Sequence, residues 1–201
     1  TQNEPESQVK FSGYLDTYYT FNANKPANNL VKATGASQIP GQNGPRYYDI
    51  YHDQLSLNLA EVSLSKDAKP VGFRIDLSFG QWVEQNVATD EISKHLSQGF
   101  LTVAPKSIEG LTIQIGKMYT HMGLEVAHAQ DNFNYSRSTT YGYALPFWHM
   151  GVKVNKAHLG GKLNTLLAVY NGWSVDSFDN NSGKTYGASI NGSPLAGLSL
   201  F

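Results

Sequence analysis

The sequence predicts an all-β fold, an antiparallel up-and-down transmembrane β-barrel or the N-terminal part of a larger one, and three observations carry that expectation. From Val71 to Phe79 the residues Val71, Phe73, Ile75, Leu77 and Phe79 alternate without a miss against Gly72, Arg74, Asp76 and Ser78. Side chains on a strand point to opposite faces in turn, so this stretch has one wholly apolar face and one carrying a cation beside an anion. The connections between such segments run alternately long and short, as in barrels with tight turns at one rim and long loops at the other. Only 15% of the 201 residues are charged, less than a fully solvated surface usually carries.

In chain order, the polar opening to Gln8 reads as a frayed terminus, and Val9–Phe21 as the first strand, with Val9, Phe11, Leu15, Tyr19 and Phe21 on one face. Asn22–Asp49, rich in Asn, Gly, Pro and Gln, is a long loop. The second strand, Gln54–Ser65, changes phase near Ala60 and Glu61, which a β-bulge explains by inserting one residue. A short turn at Lys66–Pro70 leads into the third strand, and Gln81–Leu96 is a second long loop. Gln98–Ala104 is the fourth strand, and the fifth begins at Leu111. Thr120–Tyr141 is a third long connection and Tyr143–Val154 the sixth strand. After a turn at Ala157–Gly161, Lys162–Gly172 is the seventh strand, Ser174–Gly183 a fourth loop and Lys184–Asn191 the eighth strand. Gly192–Pro194 turns into a ninth beginning at Leu195. All of this fits one domain over residues 1–201. The ninth segment falls short of the roughly 9–11 residues a spanning strand needs, so the expectation is that further hairpins follow Phe201. The rival is an eight-stranded barrel in which the eighth strand pairs with the first.

Aromatic rings favour the lipid headgroup level, and Tyr18, Tyr19, Phe21, Trp82, Tyr119, Tyr143, Tyr170 and Trp173 gather at the long-loop ends as a candidate belt. On the polar faces, Lys10, Asp16, Arg74, Asp76, Gln114, His149 and Lys153 are the candidate lumen-lining residues. The competing reading is a set of paired charges that satisfies itself and fills a narrow barrel.

A net charge of -1 leaves no basic footprint for nucleic acid. The absence of cysteine excludes disulfides, thiolate metal sites and a cysteine nucleophile. His121 and His128 with Asp131 lack the spacing of a regular metal motif. His149 with Ser136 or Ser138 and Asp131 has no nucleophile elbow to support a hydrolase triad. Neither a cofactor nor an enzymatic activity is expected.

The block GKMYTHMGLEVAHAQDNFNYSRSTTYGYALPFWHMG, residues 116–151, resembles the OmpL-like family of β-barrel porins. SGYLDTYYTFNANKP, HDQLSLNLAEVSLSKDAKPVGFRIDLSFG and VYNGW resemble it in the same order, so the likeness spans nearly the whole chain. The resemblance implies an integral protein of the bacterial outer membrane with long loops outside the cell. Lipid and small hydrophilic solutes are its partners, and a second copy or other envelope proteins are candidates. It implies a channel for passive passage of solutes or ions; the alternative is a non-conducting barrel that anchors or adheres through its loops. The positions carried over are Lys117, Gly123, Glu125, Asn134, Ser136, Arg137, Ser138, Pro146, His149 and Gly151. Of these, Lys117, Glu125, Asn134, Ser136, Arg137 and Ser138 are the candidate constriction residues. A bidentate clamp between Glu125 and Arg137 would fold the loop into the mouth; the plainer expectation is a surface loop pinned by hydrogen bonds. A soluble β-sandwich is the third reading.

Overall fold

A computed structural model of the chain describes residues 8–26, 43, 46–86, 93–174, 179, 181–195 and 198–200. The expected frayed terminus lies, up to Ser7, outside the described residues, as do the middle of the first long loop and parts of the second and fourth.

Nine strands form one antiparallel meander in sequence order. They are β1 Val9–Tyr19, β2 Leu55–Lys66, β3 Val71–Phe79, β4 Leu96–Val103, β5 Leu111–Tyr119, β6 Trp148–His158, β7 Leu163–Tyr170, β8 Thr185–Leu195 and β9 Leu198–Leu200. Connections before β2, β4, β6 and β8 are long and the others short, as the sequence predicts. Among the described residues β8 pairs with β7 and β9, and no ladder joins it to β1, so the eight-stranded closure does not form. Among the described residues the sheet is likewise not closed between β1 and β9.

The two faces differ in chemistry. Val9, Phe11, Leu15, Leu55, Leu57, Ile75, Leu77, Leu101, Ile115, Leu167, Val169 and Ile190 are exposed on the outer face. Asp16, Asn58, Glu61, Asp76, Ser78 and Gln98 are buried on the inner one. An apolar exterior around a polar interior is the pattern lipid demands of a barrel wall. No helix among the described residues is long and apolar enough to cross a membrane.

The phase change in β2 is a bulge, placed slightly earlier than the sequence suggests. Asp16 pairs with Leu59 and Thr17 with Leu57, leaving Asn58 as the extra residue. Asn58 and Leu59 therefore both turn inward, and from there Glu61 and Ser63 follow while Val62 and Leu64 face out. A second irregularity, at Ser97 in β4, turns Ser97 and Gln98 inward together.

Short helices interrupt the long loops: α1 at Gln81–Gln85 and α2 at Thr139–Ala144, the latter capped by Ser138, whose side chain accepts from the Tyr141 amide. Tyr143 is thus helical rather than the start of β6, which begins at Trp148. Gly192–Pro194 lie within β8 instead of forming its closing turn.

The aromatic belt is corrected as well. Tyr19, Phe21, Tyr143 and Trp173 are exposed, but Tyr18, Trp82 and Tyr170 are buried, and the Tyr119 hydroxyl reaches Glu61. Tyr18 shares its face with Asp16, and Tyr170 shares its own with buried Leu166 and Ala168, so strand parity turns both inward.

Candidate functional site

The inward-turned groups converge with the 120–147 loop. Glu61 accepts from Ser78 at 2.9 Å, from Tyr119 at 3.1 Å and from Ser97 at 3.4 Å, and its other oxygen lies 2.9 Å from His128 Nε2. Tyr14 accepts the Ala129 amide at 3.1 Å, and Tyr135 donates to Asp16 at 3.0 Å. Asp16 also accepts from Asn58 at 2.6 Å. A loop that joins β5 to β6 is thereby seated on the inner face of β1 and β2, which requires the sheet to curl.

The far half of the loop is held by rings. Tyr48, Leu59, Trp82, Val83, Ala127, Tyr141 and Trp148 form a buried cluster, with Tyr14, Tyr119, Leu145 and Phe147 against it. Burial pushes the Tyr48 phenol well above the usual range and that of Tyr141 up to about 12. Burial first, then the Asp16 carboxylate, raises that of Tyr135. All three phenols remain neutral hydrogen-bonding groups at physiological pH.

The expected Glu125–Arg137 clamp does not form. Glu125 accepts instead from the Ser138 amide at 2.8 Å and from the Ser138 hydroxyl. Buried Arg137 donates to the carbonyls of Val126 at 3.4 Å, Tyr135 at 2.6 Å and Ala127, and its guanidinium lies 5.1 Å from the Tyr48 ring centroid. A guanidinium has five donors, and here they tie the loop backbone together. Ser136 donates to Asp49 at 2.6 Å, and Asp49 also pairs with Arg46, linking this loop to the first one. Asn134 is exposed. Lys117 belongs to β5 rather than the loop, buried with its ammonium 4.6 Å from the Trp148 ring centroid.

Of the candidate lumen residues, Asp76 is wholly buried, bound by Arg74 Nε at 2.7 and 3.0 Å and by Gln98 at 2.6 Å. Lys10 stands at the short-turn rim, exposed and paired with Asp67 at 2.6 Å. Gln114 and Lys153 are register partners, both half-buried. His149 is buried, stacked on Tyr170 with centroids 4.0 Å apart and 3.0 Å from Thr120 Oγ1.

His121 meets Tyr170 and His149, whereas His128 meets Glu61 and Asp131, so the histidines weighed for a metal stand apart. Among the described residues no three ligand-type side chains cluster as a metal site. The triad candidates are likewise separated, Ser136 on Asp49 and Ser138 on Glu125. Sequence reasoning missed Glu61, Tyr14 and Tyr135 as members of the site. Glu61 carried a signal, a lone acid in the otherwise uncharged run Leu55–Ser65.

A membrane-type sheet with a polar interior and an inward-seated loop defines the class of outer-membrane barrel porins. The family described as "Putative beta-barrel porin-2, OmpL-like" matches residues 8–201, and the chain belongs to it. It is not a family of enzymes. Neither a curated protein nor a solved structure matches the chain.

Proposed function

We propose that the chain forms the wall and constriction of a channel through which small hydrophilic solutes or ions pass by diffusion, with the long loops outside the cell. The observation that carries this reading is the seating of the 120–147 loop on the inner wall through Glu61–His128, Tyr14–Ala129 and Asp16–Tyr135. A loop held inside a barrel occupies part of its cross-section and so sets the largest solute that passes. Lumen-facing polar groups on the strands, Arg74, Gln114 and Lys153 among them, offer hydrogen bonds to solutes that leave bulk water.

A second reading, a non-conducting anchor, draws on the completeness with which Glu61 and Asp76 are satisfied within the wall, as in a filled interior. Planar-bilayer recording separates the two. Discrete conductance steps and liposome swelling in small sugars are the expected result. Protein that migrates as folded, inserts and leaves the bilayer silent would overturn the channel.

A further inference from the structure

The β5–β8 half of the inner wall differs from the β1–β4 half in its charge. On β1–β3 each buried carboxylate has partners: Asp16 has Asn58 and Tyr135, Glu61 has His128, and Asp76 has Arg74. On β6, Lys153 pairs in register with Gln114 on one side and Ala168 on the other, and Ala168 pairs with Gly187. Val152 and Val169, one step along, are exposed on the outer face, so Lys153, Ala168 and Gly187 share the inner one. Among the described residues Lys153 makes no hydrogen bond or ion pair, and the inner faces of β5–β8 carry no carboxylate.

The Lys153 charge acts on His121, which lies over Gly187 in the same register row, and glycines make room for the histidines. A Cβ on Gly187 would lie 2.9 Å from His121 Cε1, and one on Gly151 would lie 3.0 Å from the Tyr170 ring. The bare Gly187 lets His121 lie against β8, and the bare Gly151 lets β6 approach the Val169 carbonyl, with which a Cβ would clash, beside the Tyr170 ring that lies flat on His149. His121 and His149 come within 5.6 Å, centroid to centroid, and the Tyr170 hydroxyl is 3.1 Å from His121 Nδ1. Burial first, then the Lys153 ammonium, holds the His121 imidazole below its usual range. Two residues beyond Gly187 on the same face, the Ser189 hydroxyl is buried without a hydrogen-bond partner.

We propose that Lys153, His121 and His149 form an oxyanion-binding station on the lumen wall, one that takes the phosphate or carboxylate group of a passing solute. A half-buried ammonium with no counter-charge among the described residues, on the same wall as two imidazoles, gains from a soluble anion what protein carboxylates supply to the cations of the opposite wall. Protonation of either imidazole would add a second cation, so anion binding and histidine protonation favour each other. This deepens the channel reading, and as a statement about solute passage it rests on it.

The test is a titration of the purified protein in a non-ionic detergent, which carries no phosphate of its own. Inorganic phosphate is the probe, with the histidine ring resonances as readout. A saturable shift of the His121 and His149 signals is expected. Lys153→Gln should weaken it by about tenfold or more, the loss of one charge-assisted hydrogen bond, and Lys153→Arg should retain it. Gly187→Ala should displace His121 and alter its response, with folding of each variant checked by heat-modifiable migration. In bilayers under a KCl gradient, Lys153→Gln should move the reversal potential toward cation selectivity. A folded wild type without a saturable shift, or a shift indifferent to Lys153→Gln, overturns the station. Because the titration needs no conduction, a silent barrel that still shows the shift sinks the channel reading and keeps the site.

Discussion

Freeing the 120–147 loop from β1 and β2 should widen the pore, and the structure sets how much must be removed. His128–Glu61 and Tyr135–Asp16 are bonds to carboxylates buried on the wall side, each worth about 1.5–3 kcal/mol, while the Tyr14–Ala129 bond is worth about 1 kcal/mol. The lower ends add to about 4 kcal/mol, a factor of roughly a thousand in the seating of the 128–135 segment on β1 and β2. One substitution therefore leaves the 128–135 segment mostly seated, but Tyr14→Phe, His128→Ala and Tyr135→Phe together remove its tethers to β1 and β2, while the far half of the loop stays held by the rings around Tyr48. The wall should survive, because Glu61 keeps Ser78, Ser97 and Tyr119, and Asp16 keeps Asn58. Single-channel recording with polymers of graded size is the assay. The triple variant should show larger, noisier steps and admit larger polymers, with the single variants close to wild type. A triple variant with unchanged conductance and cutoff would refute the loop as the constriction.

On β3, Ile75→Arg places a cation on the lipid face and should cost about 2–4 kcal/mol of folding into vesicles. With Arg74 facing a wet lumen, the sequence alone suggests that Arg74→Ala is far milder than Ile75→Arg, but Asp76 is wholly buried. We expect about 1–3 kcal/mol in urea titrations, mostly recovered by adding Asp76→Asn; equal damage with and without that second change would contradict the pairing. A double-mutant cycle should find no coupling between Glu125 and Arg137, and about 1 kcal/mol between Glu125 and Ser138; the reverse would restore the clamp. Tyr141 ionises near pH 12 when folded, against 10.0 for the free phenol. The folded state holds its proton longer, so this contribution is intact below pH 10 and is lost as pH rises toward 12. Ultraviolet titration should show late-ionising phenols that titrate normally in denaturant.

Periodicity made the wall readable, because each residue of Val71–Phe79 states its face through its neighbours. The same rule limited the rest. A ring at a strand end reads as belt or interior only once parity is counted from a secure position, and the bulge at Asn58 resets that count for everything after it in β2. Tyr170 was legible in principle through its spacing from Leu166 and Ala168, but three inward apolar residues in a porin strand imitate the lipid face. Helices as short as α1 and α2 complete too few turns to establish a period. The Glu61–His128 and Tyr135–Asp16 partnerships join positions far apart in sequence, and local pattern carries no information about which distant face a loop will meet.

The docked loop also imposes an order on assembly. Its partners on β1 and β2 are separated from it by three intervening strands, and the Tyr14–Ala129 and Asp16–Tyr135 bonds span 115 and 119 positions. Contacts of that range repay their closure entropy only after the intervening chain has been ordered. The hairpins must zip and the sheet must bend before the first strand is within reach of the loop. Wall construction therefore precedes loop docking, and a sheet interrupted midway would leave the loop without its seat on β1 and β2.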